Sequence, residues 1–160
     1  MTNPRAHSAR ARREAFSLLE VVLVVTMLVV LATMAAPRYA RAAARYRAEA
    51  TARRIAADLT LARRSARNAG ASRTVRFDPA GHEYSISDLP GLDDPAGPYL
   101  VALTARPYAA RIASVDFGGD GEIVFDAYGA ADSNGYVTVQ VGEAQRTVVL
   151  QAAGGKAVVQ

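Results

Sequence analysis

FSLLEVVLVVTMLVVLATMAA, the run from Phe16 to Ala36, decides the class of this chain. It holds a single charge, Glu20. At about 1.5 Å per residue a helix of this length spans roughly 30 Å, the thickness of a bilayer's hydrocarbon layer, so the stretch reads as a membrane helix. A cleaved secretory signal has a similar outline, with a basic start and small residues such as Ala32, Ala35 and Ala36 near the end of the apolar run. Two features argue against that reading. The run exceeds the roughly 7–15 apolar residues of a signal, and a carboxylate sits inside it.

That carboxylate is costly. An ionised acid at the centre of a membrane helix costs roughly 2.5–3.5 kcal/mol on insertion scales, and somewhat less near an end. Glu20 lies in the first turn of the apolar helix, where the positive end of the helix dipole returns about 0.3–1 kcal/mol. The rest calls for a cation, and no basic residue lies three or four positions away.

A short basic leader ending in a small residue, followed by Phe16-Ser17-Leu18-Leu19-Glu20 and a long apolar helix, resembles the processing site of type IV prepilins and of the pseudopilins of type II secretion. The resemblance implies that a membrane aspartyl peptidase cuts between Ala15 and Phe16 and methylates the new amine. It also implies a partner for Glu20, the N-terminal amine of Phe16 in a neighbouring subunit. Pro37 matches a proline common in such helices and implies a kink. Two positions depart from the family pattern: Ala15 stands where glycine is usual, and Glu14 where a basic residue is usual. Arginines flank both ends of the apolar run, so positive charges alone set no orientation. The cytoplasmic placement of the N-terminus comes from the resemblance.

Beyond Pro37 the helical pattern resumes. A proline disfavours helix at the residue before it, which places the kink near Ala36. Ala44, Ala48, Ala52, Ile55, Leu59, Ala62 and Ala66 recur at spacings of three and four and form one stripe, with arginines largely filling the remaining positions. Asn68 and Gly70 then supply a stop. The remainder alternates in period two and marks about eight short strands, from Val75 and Phe77 to Val148, Leu150 and Val158. Turns separate them at Asp78–Gly81, Gly118–Gly121, Ser133–Gly135 and Gly154-Gly155, and a loop rich in Pro, Gly and Asp runs from Pro90 to Pro98. Strands so closely spaced, without helices between them, predict antiparallel sheets packed as a small sandwich.

The fold class expected is therefore α+β: a long N-terminal helix, its first half transmembrane, followed by a small antiparallel β-sandwich. The segments are a basic leader over 1–15 that is removed, a transmembrane helix over 16–37, an amphipathic basic helix over 38–69 packed on the β domain, and an antiparallel β domain over 70–160. This order, with Leu59 to Arg67 followed by the strand Thr74 to Asp78, is similar to the H-type minor pseudopilins and the related FimT-like minor pilins.

Composition excludes much chemistry. There is no cysteine, hence no disulfide framework, thiolate zinc site or thiol nucleophile, and at 160 residues the chain is too short for a multidomain enzyme. His7 and His82 are the only histidines, Ser65 sits among arginines, and no phosphate loop or metal-ligand spacing occurs. Asp93 with Asp94, or Asp120 with Glu122, could offer calcium oxygen ligands, but neither pair has ordered ligand spacing and both read better as acidic turns. No metal, cofactor or catalytic residue is expected, and the chain is read as a non-enzyme.

Charge is segregated. Residues 38–67 carry nine arginines against Glu49 and Asp58, while residues 68–160 carry six basic and eleven acidic groups. The basic helix can be a solvated face touching lipid phosphates, a surface for the acidic β domains of other copies, or a site for nucleic acid. The last is disfavoured, because the β domain is acidic.

The resulting expectation is a minor pseudopilin or pilin-like subunit of a type II secretion or type IV pilus assembly, built into a short filament anchored in the inner membrane. Its partners are other pilin-like subunits, the prepilin peptidase, an inner-membrane assembly platform and membrane lipid. Its location is the bacterial inner membrane, single-pass, with the β domain periplasmic. The alternative is a membrane-anchored exported β-sandwich binding protein, including a DNA-capturing minor pilin.

Overall fold

The structure, a computed structural model, describes residues 17–91 and 95–160. Ala15, Phe16 and the rest of the leader lie outside the described residues, as do Asp93 and Asp94. The chain divides into two compact units, Met1–Arg38 and Tyr39–Gln160. One helix, α1 (Leu18–Ala69), contributes to both, and Pro37 lies inside it, next to the division. The proline ring removes the amide that would have reached the carbonyl of Thr33.

In the second unit α1 is followed by eight strands among the described residues: β1 (Arg73–Asp78), β2 (Glu83–Pro90), β3 (Pro98–Ala102), β4 (Arg111–Phe117), β5 (Glu122–Phe125), β6 (Gly135–Val141), β7 (Ala144–Gln151) and β8 (Lys156–Val159). They form two four-stranded sheets in the orders β3-β2-β1-β5 and β4-β6-β7-β8, with every neighbouring pair antiparallel. Register aligns the apolar rows. Val75 sits opposite Ile86 on one side and Ile123 on the other, and Val137 sits opposite Val115 and Val148. The chain leaves the second sheet for the first through Gly118–Gly121, where the amide of Phe117 donates to Asp120 O at 2.9 Å and that of Phe77 to Gly121 O at 2.9 Å. The rings of Phe77 and Phe117, one from each sheet, stack at 5.6 Å between centroids and join the two inner faces.

The stripe of α1 completes this core. Ala48, Ala52, Ile55, Leu59, Ala62 and Ala66 are buried and Ala44 is half-buried against the same cluster. Alanine at most of these positions lets the helix axis approach the sheets, while Ile55 and Leu59 fill the space between. The helix ends as its sequence predicts. Gly70 takes φ 60°, its amide donates to Arg67 O, and the amide of Ala71 donates to Ala66 O, the paired bonds of a Schellman stop.

Two features of the strand pattern differ from a plain reading. The odd spacing from Ile112 to Val115 comes from a bulge between Ile112 and Ser114, which restores the inward face by Phe117. Val158 does not mark the inward face of β8. It is 41% exposed, and the half-buried residues are Ala157 and Val159, because the register of β8 against Leu150 and Val148 turns those two inward. The loop expected from Pro90 to Pro98 is shorter at both ends, since Pro90 closes β2 opposite Pro98.

Candidate assembly surfaces

Among the described residues nothing covers the apolar surface of the first unit. Every large apolar side chain from Leu18 to Met34 is exposed, Leu18 to 81%, and α1 is the one helix among the described residues long and apolar enough to cross a membrane. Its polar side chains are already satisfied within the helix: Thr26 Oγ1 donates to Val22 O and Thr33 Oγ1 to Val30 O, each at 2.7 Å. Such threonines carry no unmet hydroxyl into hydrocarbon. Glu20 differs. It stands in the first turn, and among the described residues it has neither an ion pair nor a hydrogen-bond partner. Among the described residues the first helical bond runs from the amide of Val21 to Ser17 O and the amides of Leu18, Leu19 and Glu20 have no acceptor, and the dipoles of a helix's first turn favour an anion there. Phe16, the partner implied by the resemblance, and Ala15 lie outside the described residues. Pro37 falls where the two units divide.

The second unit seals the other part of α1 with polar contacts that composition alone does not suggest. Asp58 is buried at the edge of the apolar stripe. Arg54 Nε donates to its Oδ2 at 2.9 Å and the Tyr84 hydroxyl at 2.5 Å, while Arg54 Nη2 donates to the Tyr99 hydroxyl at 2.9 Å. The helix is thereby fixed to β2 and β3 by a cluster of four side chains. Burial and the adjacent Asp58 charge push the Tyr84 phenol well up, and burial followed by Asp58 pushes Tyr99 up to about 12. Burial is the largest single influence on Arg54 and opposes its charge, but the hydrogen bonds to Asp58 and Tyr99 and the attraction of Asp58 together outweigh it and the guanidinium pKa rises. The sequence carried one signal for this cluster, the four-residue spacing of Arg54 and Asp58 on a helix. The tyrosines join it only through the fold.

The second sheet is held differently. Arg146 Nε bonds Glu49 Oε2 at 2.7 Å, and Arg53 bonds the other oxygen at 2.9 Å. Hydrogen bonds from Arg146, then from Arg53, hold the Glu49 carboxyl below its ordinary range. Arg63 donates to Gly129 O at 3.0 Å and Gly155 O at 3.4 Å. Both glycines have positive φ, and a Cβ on either would come within 3 Å of an arginine side chain, Arg67 at Gly129 and Arg63 at Gly155. A side chain at either position would be strained by the positive φ and would push the arginine aside.

The remaining candidates have local roles. Ser65 Oγ accepts from Arg73 Nε at 3.3 Å. His82, with φ 52°, forms part of the turn between β1 and β2, and its buried Nδ1 has no hydrogen-bond partner among the described residues. Asp120 Oδ1 accepts from the amide of Glu122 at 2.9 Å, and Glu122 pairs with Arg76 at 2.7 Å, so this acidic pair closes a turn and neutralises a strand arginine. Asp126 Oδ1 likewise accepts from the amides of Tyr128 and Ala130. Among the described residues no group of three or more His, Asp or Glu side chains is placed to hold a metal.

Residues 51–154, well over half the chain, match the family model described as type II transport protein GspH. The fold is similar to that of the minor pseudopilin EpsH from the type 2 secretion system of Vibrio cholerae, at 13% identity over 71% of this chain and 94% of that one, with a TM-score of 0.53. It is also similar to the type IV minor pilin FimU of Pseudomonas aeruginosa. One crystal form gives 15% identity over 70% of this chain and 91% of that one, with a TM-score of 0.52; another gives 18% over 72% and 88%, also at 0.52. Comparison with curated protein sequences gives no match.

Proposed function

The chain belongs to the GspH family of type II transport proteins, and from that membership we propose that it is a minor pilin-like subunit of a type II secretion or type IV pilus machine. Its role is mechanical. A prepilin peptidase removes residues 1–15, residues 16–37 hold the product in the bacterial inner membrane with the β domain on the periplasmic side, and an assembly platform lifts it into a short filament. Pro37 bends the helix where the anchor ends.

Glu20 carries this reading. A carboxylate in the first turn of an uncovered apolar helix, unpaired among the described residues, is tolerable in lipid only when another group brings it a positive charge. An amine freed at Phe16 of a neighbouring subunit would do so, and would set the register of each incoming copy. Packing of apolar helices from several subunits would cover the rest of the surface.

Intact-mass measurement on protein extracted from membranes tests the processing step. The expected product lacks residues 1–15 and carries one added methyl group. An unprocessed chain, or a cut near Ala35, would mark an anchored or secreted binding domain instead. Glu20→Ala should insert into membranes as well as the native chain or better, yet enter filaments poorly; unchanged incorporation would remove the pairing role.

A further inference from the structure

The arginines of α1 divide into those used by the fold and those left over. Arg53, Arg54 and Arg63 meet Glu49, Asp58 and two backbone carbonyls. Arg38, Arg41, Arg45, Arg47, Arg64 and Arg67 are exposed and have no acidic partner among the described residues; of these, Arg41, Arg45 and Arg47 are interleaved with Tyr39 just before them and Tyr46 among them, exposed to 79% and 76%. No acid occurs between Glu20 and Glu49, so nothing in sequence neutralises this stretch.

Their directions identify the kind of partner. At about 100° per residue, measured from the buried Ala48, Arg41 points about 20° away and Arg45 about 60°, Tyr46 and Tyr39 point about 160° and 180° away, and Arg47 about 100° to the other side. No sector wider than about 120° lacks one of them. A protein docked on a helix covers one side. A basic and aromatic ring suits a medium that surrounds the helix at one level. The ring also begins three residues after the apolar run ends at Ala36, so a helical chain can carry it no more than about 17 Å beyond the hydrocarbon. Tyr39 and Arg41 fall in the headgroup layer, roughly 5–7 Å thick, and Arg45 and Arg47 within about a Debye length of it.

We propose that Tyr39, Arg41, Arg45, Tyr46 and Arg47 form a collar that binds the phosphates of anionic phospholipids at the membrane face from which the β domain emerges. Tyr39 seats the helix at the interface, and the arginines gather acidic headgroups around it. The collar requires only that residues 16–37 span a bilayer, not that the chain is cleaved or enters a filament.

The test is lipid selectivity of the full-length chain reconstituted in phosphatidylcholine vesicles containing phosphatidylglycerol. Spin-labelled phosphatidylglycerol and phosphatidylcholine are compared for the fraction immobilised on the protein. The native chain should favour the anionic lipid by at least about fivefold at low salt, the equivalent of one arginine near a charged surface, and the preference should shrink in high salt. Arg41→Gln/Arg45→Gln/Arg47→Gln should lose most of the preference while keeping its circular dichroism. Equal binding of both lipids by the native chain would overturn the collar. So would a preference that survives the triple substitution, which would assign it to other arginines. Salt-sensitive self-association in pure phosphatidylcholine that the triple variant abolishes would overturn it in favour of the acidic β domain of a second copy. Because the vesicles contain no other pilin-like subunit, failure here leaves the filament reading standing, and failure of Glu20→Ala to impair assembly leaves the collar standing.

Discussion

The two parts of α1 invert each other's use of a helix surface. From Tyr39 onward a narrow stripe of alanines with Ile55 and Leu59 is buried under two sheets, and the polar residues at its margins, Asp58 and Glu49, are each met by two groups. Within Leu18–Arg38 the apolar residues run all round the helix, none is covered, and the one acid has no partner among the described residues. A helix apolar on one face is completed by its own chain, whereas one apolar on every face has to be completed by lipid or by other helices. The positions of the acids tell the same story: Asp58 is answered within the second unit, while Glu20 has no partner among the described residues.

Substitutions can break this contrast, beginning with the largest effect. Asp58→Ala should destabilise the unit Tyr39–Gln160 by about 3–5 kcal/mol, since it leaves Arg54 and the Tyr84 hydroxyl without their buried partner. Urea unfolding of residues 39–160 reads this directly, and a loss under about 1 kcal/mol would mean that the cluster does not hold the helix to the first sheet. The same fragment should be soluble and folded, because its core is closed without the anchor.

The next effect is alkaline. Tyr84 and Tyr99 have pKa values raised in the folded state above the ordinary 10, Tyr99 to about 12. A raised pKa contributes stability that is complete below the unfolded value and is lost as pH rises toward the folded one. Stability of the fragment should therefore fall between about pH 10 and 12, and Tyr99→Phe should flatten that fall. An unchanged alkaline limb in Tyr99→Phe would contradict the placement of this phenol.

Glu49 acts at the opposite end of the pH scale and more weakly, because it is only half-buried and Arg53 beside it is exposed. Its carboxyl is held below the ordinary carboxylate range by Arg146 and then Arg53, so its contribution is present above that range and disappears as pH falls through the lower folded value. Glu49→Gln should lower the urea midpoint slightly at pH 7 and leave it unchanged near pH 2. Smallest of all is Leu23→Ala. In the first unit it should leave the thermal transition of the β domain where it was, because Leu23 is 67% exposed and lies outside that core. A shifted transition would show that the two parts of the helix are not energetically separate.

Much of the fold was legible because its signals are periodic. The membrane run, the stripe from Ala44 to Ala66, the glycine stop and the alternating strands each depend on neighbours close in sequence, and six of the seven stripe residues are buried. Val158 was misleading because β8 is short and its inward face follows from pairing with β7, which alternation over four residues does not fix. The site divides similarly. Glu20 stands out by itself, since a charge inside an apolar run is conspicuous, while Asp58 looks like one more charge on a basic helix until Tyr84 and Tyr99 are brought against it from β2 and β3.

The sequence by itself determined the apolar span, the acid within it, the amphipathic continuation of the helix and the α+β order, because all of these rest on local spacing and on the cost of placing particular side chains in water or lipid. Only the tertiary structure decided which charges are consumed. Asp58 and Glu49 each have one partner four residues away on the helix, but their second partners, and the acceptors of Arg63, lie 26 to 97 positions away, in pairings that no local pattern encodes. Subtracting those leaves Glu20 and the exposed side chains from Tyr39 to Arg47 among the groups without a partner in the described residues.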